Sequence, residues 1–242
     1  MTDPNRAPIL VAGAHRTGTT WVGKMLAAAP GVAYISEPLN ALHRPGVLRA
    51  PTPYWYQYID ERNEAAYLPA FRQLLAFRYH LFAELAALRS IHDAGRMGRD
   101  LGVFLRGRLL GCRPLLKDPF AVFSAPWFAR RLGCQVVITI RHPAGFASSL
   151  KRLDWPFDFT DLLAQPLLMD TLSQAGLDAC RPEMEALAAA FKSAPDILAQ
   201  AALLWRLVYS VVAQAQAGLP GLHVVRHEDL SVDPLAGYQA LY

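Results

Sequence analysis

Ile9-Leu-Val-Ala-Gly13-Ala-His15-Arg16-Thr17-Gly18-Thr19-Thr20-Trp21 is a short apolar run followed by a glycine-bounded turn, and its reading decides the fold. Ile9–Ala12 reads as a strand buried on both faces. A glycine, four residues and a second glycine then give the spacing of a P-loop, and a helix is predicted over Thr20–Ala29. Such a loop turns backbone N–H groups toward a phosphate, and the dipole of the following helix adds to the attraction. The hydroxyls of Thr19 and Thr20 are further candidate donors. A nucleoside-triphosphate P-loop carries lysine directly after the second glycine. Here that position is Thr19 and the nearest loop cation is Arg16, which weakens the case for an ATP or GTP hydrolase.

Further along the chain, strands are predicted at Val32–Ile35, Pro114–Lys117, Gln135–Ile140 and Leu222–Arg226. Helices are predicted over Ala70–Ser90, Ser124–Leu132, Ala144–Leu153 and Asp196–Ala217. Strands alternating with helices imply an α/β fold, P-loop-like and three-layered, with a mainly parallel central sheet flanked by helices. Ligands of such folds bind at the carboxyl ends of the strands. Two stretches stand outside this frame. Arg44–Asp60 contains the run Tyr54-Trp55-Tyr56-Gln57-Tyr58, and Asp154–Arg181 contains Trp155, Phe157 and Phe159. Either an acceptor-binding lid or ordinary packing under a long loop accounts for them.

The 242 residues are 53% hydrophobic and 18% charged, which is globular composition. A net charge of +4 and a pI of about 9.1 suit an anionic small ligand and are too weak to argue for nucleic acid. Cys112, Cys134 and Cys180 are widely spaced and read as buried free thiols, with no metal-binding pattern. The first residues lack a basic region followed by a long apolar run. The nearest approach to a membrane span, Ala201–Ala213, is interrupted by Arg206, so no span is predicted and a cytoplasmic location is the default. Nothing in the sequence fixes the oligomeric state.

A second phosphate site is predicted in Val136-Val-Ile-Thr-Ile-Arg141-His-Pro143, a buried strand, a cation at its carboxyl end, and a helix opened by proline. Arg141 offers a fork of donors suited to a phosphate dianion, and Ser149 follows about two helical turns later. The alternatives are a strand-end salt bridge for Arg141 and an exposed helix hydroxyl for Ser149. A third segment, Val224-Val-Arg226-His227-Glu228-Asp229-Leu230, ends the last strand. There Asp229 could cap the next helix and Glu228 could brace the neighbouring loops.

Arg16-Thr17-Gly18-Thr19-Thr20-Trp21 resembles the 5′-phosphosulfate loop of the sulfotransferases that use 3′-phosphoadenosine 5′-phosphosulfate. The Arg141/Ser149 pair resembles that family's grip on the donor's 3′-phosphate, and the third segment resembles its Arg/Phe-Tyr-Glu-Asp-Leu motif, with His227 in place of tyrosine. Lys117-Asp118-Pro119 and Ile140-Arg-His-Pro143 bring it nearest to bacterial enzymes of the carbohydrate-type group. The resemblance implies transfer of a sulfonate to a hydroxyl or amine of a carbohydrate or other small-molecule acceptor, with no metal. It implies donor binding by Gly13, His15, Arg16, Thr17, Gly18, Thr19, Thr20, Trp21, Arg141, Ser149 and His227. Arg16 would assist the departing phosphate, Trp21 would contact adenine, and Lys117 would contact the sulfonate. Glu37 is the first choice for the base that such a transfer needs and Asp118 the second; simple pairing of Glu37 with Arg44 or Arg16 is the competing reading. His15, His142 and His227 are expected in supporting roles. Family members continue with a helix and a basic loop that closes over the 3′-phosphate, and nothing before Tyr242 matches it. The expectation is therefore one domain, residues 1–242, without that closing loop. A P-loop kinase-like phosphotransferase and an inactive nucleotide-binding fragment are the alternatives.

Overall fold

The computed structural model describes residues 6–42, 45–219 and 221–241. Five parallel strands form one sheet: β1 (Ile9–Gly13), β2 (Val32–Ser36), β3 (Arg113–Lys117), β4 (Gln135–Ile140) and β5 (Leu222–Arg226), in the order β2-β3-β1-β4-β5. Ile9 pairs with Leu115 on one side and Gln135 on the other. All five residues of β1 are buried, as the uninterrupted apolar run requires. After β1 the chain crosses toward β2, and after β4 it crosses toward β5. The two central strands therefore exit in opposite directions, and a crevice opens between their carboxyl ends. This three-layer α/β sheet is the architecture expected from the sequence.

One face carries the larger core, where Leu10, Ala12, Leu116 and Ile138 meet Phe120, Phe123, Phe128 and Phe146. The main covering helices are α5 (Ala125–Leu132), α6 (Pro143–Arg152) and α10 (Ile197–Gly218). The other face is smaller: Ile9, Val11, Leu115 and Val137 pack against Val22 and Leu26 of α1 (Thr19–Leu26), with Leu230 and Tyr238. Leu230 belongs to α11 (His227–Val232) and Tyr238 to α12 (Pro234–Gln239). By length and composition α10 could cross a membrane, at a mean hydropathy of 1.4. Half of that apolar window is buried inside the fold, where Leu204, Leu207 and Val208 are fully covered. Arg206 thus interrupts the composition without shortening the helix.

Two expectations need correction. The single helix over Ala70–Ser90 is two: α2 (Leu68–Leu75) and α3 (Leu81–Ala86), parted where Phe77 takes a φ of 53°. That turn drives the Phe77 ring against Gly107, where a Cβ would lie 2.5 Å from the ring. Gly107 belongs to a helix not predicted at all, α4 (Ile91–Leu110), opened by the Ser90 hydroxyl accepting from Asp93 N–H. Asp229 does not cap α12; the Asp233 carboxylate does, accepting from Ala236 N–H at 3.1 Å, while Asp229 sits 3.7 Å from Arg226.

The described parts of the two aromatic stretches are tied to each other. Trp55 N–H donates to Asp161 at 3.0 Å and Tyr58 N–H to Gln165 at 2.7 Å. Asp161 lies on α7 (Thr160–Leu163), which leads through α8 (Pro166–Gln174) to α9 (Arg181–Ala190).

Candidate active site

The loop between β1 and α1 is fixed from beneath. The Tyr209 hydroxyl, on α10, accepts from Ala14 N–H at 3.3 Å and donates to the Thr139 carbonyl at 2.9 Å. The Tyr56 hydroxyl accepts from His15 N–H at 3.1 Å. Thr17 is fully buried; its hydroxyl donates to the Ala14 carbonyl at 2.6 Å and sits 2.8 Å from Thr139 Oγ1. Gly13 touches the same strand so closely that a Cβ would come within 2.4 Å of the Thr139 carbonyl oxygen. Thr17 and Gly13 therefore shape the loop and turn no side-chain donor outward.

The open half begins at Gly18, whose φ of 97° carries the chain into the helix. The N–H groups of Gly18, Thr19 and Thr20 precede the first helical carbonyl partner and are free for an anion. They face a cleft of about 410 Å³ lined by Arg16, Gly18, Thr19, Thr20, Trp21, Lys24, Arg141 and His227. Sequence positions 16 to 24, 141 and 227 are thus gathered at the crevice between β1 and β4. Arg141 reaches across it, its guanidinium 3.3 Å from the Arg16 carbonyl, while Trp205 holds the Arg141 carbonyl at 2.8 Å. Glu228 accepts from His142 N–H at 2.9 Å and so braces the start of α6 against β5.

His227 closes the cleft over Gly18, with Trp21 edge-on to it at 5.6 Å. Burial and the nearby Arg141 push its proton affinity down, and its buried Nδ1 has no protein partner. Ser149 behaves differently from its neighbours in the motif. It is buried on α6 with its hydroxyl unpartnered and does not line the cleft. An exposed helix hydroxyl is thereby excluded. Lys24, one turn after Thr20 on the same face of α1, is the cleft cation that motif reading missed; the i, i+4 spacing was its only signal.

Thr20 and Lys24 also line a second cavity of about 410 Å³, together with Tyr34, Ser36, Arg99 and Lys117. Ser36 and Arg99 continue into a third, of about 260 Å³, that reaches Glu37. Lys117 is buried and its ammonium donates to Glu37 Oε1; Asn40 donates to Oε2 at 2.9 Å. Arg44, the other partner considered for Glu37, lies outside the described residues. Glu37, Arg16 and Tyr56 all have positive φ (50°, 67° and 57°), so three of the five such non-glycine residues among the described residues sit around this site.

Asp118 is only 1% exposed, and both of its oxygens are occupied by backbone donors, Leu39 N–H at 2.5 Å and Phe120 N–H at 3.1 Å. Burial raises its pKa to about 7. Its position makes it a brace between the Glu37 turn and the 3₁₀ segment Pro119–Ser124. Among the described residues, no three His, Cys, Asp or Glu side chains gather as a metal site would.

A parallel 2-3-1-4-5 sheet, with a glycine-bounded loop after its central strand and cations gathered at the crevice, defines a P-loop-like α/β fold. The model of the sulfotransferase family matches residues 8–197, so the chain belongs to that family. No curated protein sequence is similar enough to this chain to count as a relative. Among solved structures, a sulfotransferase from Mycobacterium avium is 14% identical, with a TM-score of 0.47 over 99% of this chain and 64% of that one. A sulfotransferase from Alicyclobacillus acidocaldarius is also 14% identical, with a TM-score of 0.43 over 95% of this chain and 76% of that one. The chain thus spans just under two thirds of the length of the Mycobacterium avium protein.

Proposed function

We propose that residues 1–242 form one sulfotransferase domain, which moves a sulfonate from 3′-phosphoadenosine 5′-phosphosulfate to a hydroxyl (or amine) of a carbohydrate or other small-molecule acceptor. The observation that carries this reading is the single cleft joining the open N–H groups of Gly18–Thr20 to Arg141 and His227. It suits an anion charged at two separated places. The unpartnered Nδ1 of His227 fits the same ligand, since a buried polar atom without a partner is costly unless something supplies one.

In this scheme the loop N–H groups and Arg16 hold the 5′-phosphosulfate, and Trp21 stacks on or abuts the adenine. Arg141 and His227 hold the 3′-phosphate, with Ser149 behind them. The acceptor oxygen attacks sulfur while the bond from sulfur to the phosphate oxygen breaks, and Arg16 neutralises the charge that develops on that oxygen. Lys117 shifts its ammonium from Glu37 to the sulfonate. That shift frees a lone pair on Glu37, which takes the acceptor's proton. Asp118, buried and lining neither of the two cavities beside Lys117 and Glu37, holds the Glu37 turn in place and is the second choice for the base.

The test is binding and turnover. Adenosine 3′,5′-bisphosphate is expected to raise the melting temperature far more than adenosine 5′-phosphate, and labelled donor to transfer sulfonate in the parent but not in Arg16→Ala. Equal stabilisation by the two nucleotides would remove the 3′-phosphate site. Stabilisation by ATP with magnesium instead would favour a phosphotransferase.

A further inference from the structure

Helix α4 carries none of the motif residues, yet it borders the two cavities around Lys117 and Glu37. Arg96, Arg99, Asp100 and Val103 fall at i, i+3, i+4 and i+7 and so share one face of it. In the cavity of about 410 Å³ beside β2, Arg99 and Val103 line the space together with Lys24, Tyr34, Ser36 and Lys117. In the next, of about 260 Å³, Arg96 and Arg99 share the wall with Glu37 and Asn40. Arg99 lines both of these cavities and not the donor cleft, whereas Lys24 lines the donor cleft and not the cavity at Glu37.

Most of the charge around these cavities is neutralised in pairs. The Lys117 ammonium donates to Glu37, whose other oxygen accepts from Asn40. Arg96 is paired with Asp93, and Asp100 has a partner of its own. Arg99 is different: among the described residues it has no hydrogen bond and no ion pair. Its guanidinium keeps its charge and its donors at any physiological pH. In the larger cavity one acid, Asp100, stands against three cations, Lys24, Arg99 and Lys117. Lys24 is shared with the donor cleft and Lys117 is held by Glu37, so the uncommitted charge on the α4 side is that of Arg99. A wall that also includes Ile35, Val47 and Phe104 screens that charge less than open water would.

From this arrangement we infer that Arg99 is a specificity-determining residue that holds an oxyanion of the acceptor, a carboxylate or an ester sulfate, while the acceptor's hydroxyl lies at Glu37 and Lys117. The planar fork of donors matches either oxyanion with two parallel hydrogen bonds. The inference rests on the proposed sulfotransferase reading and narrows it to acidic acceptors, through a residue of α4 that lies outside every motif of the sequence.

The experiment needs neither donor nor turnover, so its failure is separate from failure of the sulfotransferase reading. The probes are methyl glucoside and two acidic counterparts, methyl glucuronide and methyl glucoside 6-sulfate, each titrated into the full chain with ligand-observed magnetic resonance as the readout. The parent is expected to bind at least one acid about tenfold more tightly than the neutral sugar, the scale of hydrogen bonds to a charged group. The tighter of the two acids identifies the oxyanion. Arg99→Gln is expected to abolish that preference and Arg99→Lys to keep part of it. Arg108→Gln removes the same charge from the same helix outside both cavities, and is expected to leave the preference intact. Affinity for adenosine 3′,5′-bisphosphate is expected to be unchanged in Arg99→Gln, since Arg99 does not line the donor cleft. Circular dichroism confirms that each variant is folded. A parent that prefers neither acid overturns the inference, as does a preference that survives in Arg99→Gln. An equal loss in Arg108→Gln would make the effect one of net charge, and a fall in bisphosphate affinity in Arg99→Gln would move Arg99 to the donor; either result also overturns it.

Discussion

Acidification should act on His15 in a way that can be calculated. Its pKa is held down from 6.5 to about 4 by burial first and by Arg16 second, with Glu37 acting weakly the other way. The folded state therefore binds this proton less well than the unfolded chain does. Between pH 6.5 and 4 the unfolded chain takes up a proton that the folded one refuses, so stability falls as pH falls through that window. A depression of ~2.5 pKa units corresponds to about 3 kcal/mol once both states are past their transitions, and about 2 kcal/mol of that is lost between pH 7 and 5. The perturbation that isolates it is His15→Gln, which cannot titrate. Urea unfolding of parent and variant at pH 8, 7, 6 and 5 gives the difference in free energy at each pH, and the other titrating groups cancel. The parent is expected to lose about 2 kcal/mol relative to the variant between pH 7 and 5. A difference that stays level within about 0.5 kcal/mol would refute the claim that His15 is buried as a neutral ring.

Gly18→Ala combines an unfavourable φ of 97° with a Cβ 2.7 Å from His227 Nδ1, so calorimetry is expected to show at least a ~10-fold loss of adenosine 3′,5′-bisphosphate affinity; parent-like binding contradicts the cleft assignment. Asp118→Ala leaves the buried N–H groups of Leu39 and Phe120 without acceptors and is expected to cost about 2–5 kcal/mol in urea unfolding, whereas a loss below about 1 kcal/mol would mean the brace is not needed. Glu37→Gln is expected to lower kcat by roughly 10²–10⁴-fold with bisphosphate affinity unchanged; an equal fall in affinity would mean that Glu37 positions the donor and is not the base.

The central strands were legible because they are buried on both faces, and continuous apolar runs such as Ile9–Ala12 and Val136–Ile138 then need no alternation to be seen. Helix α4 was not, because Gly95, Gly98, Gly102 and Gly107 dilute its helical signal. One of those glycines is there for packing, since Gly107 admits the Phe77 ring. That same contact divides α2 from α3, and no local feature of Ala70–Ser90 announces it. In the site, the residues that motifs name were legible, including the arginines and glycines that line the cleft. The residues that hold them were not. Tyr56 reaches His15 across 41 positions, Tyr209 reaches Ala14 across 195, and Trp205 reaches Arg141 across 64. Each is one hydrogen bond between distant segments, with no periodicity to betray it. Asp118 is a related case: its place at a strand end suggested chemistry, and only the structure shows how deeply it is buried and that its oxygens accept from Leu39 and Phe120 N–H.

The loop's donors divide into two sets, and the division bears on what the missing lysine means. The N–H groups of Ala14, His15 and Thr17 are used internally, by Tyr209, Tyr56 and the Ala14 carbonyl. Those from Gly18 onward are open, beneath a cleft with no loop lysine after Gly18. A triphosphate loop concentrates its cation on the β- and γ-phosphates. Here the positive charge arrives from separate elements instead: Arg16 from the loop, Lys24 from α1, Arg141 from the end of β4, and Lys117 from the end of β3 in the adjoining cavity. Charge spread in this way matches poorly with one compact polyphosphate. It matches an anion with one group over the helix N-terminus, another beside Arg141, and a third that Lys117 can reach when it leaves Glu37. Because those cations stand on different elements, each should be removable with its own signature. Loss of Arg141 should act on bisphosphate binding, and loss of Lys117 on turnover.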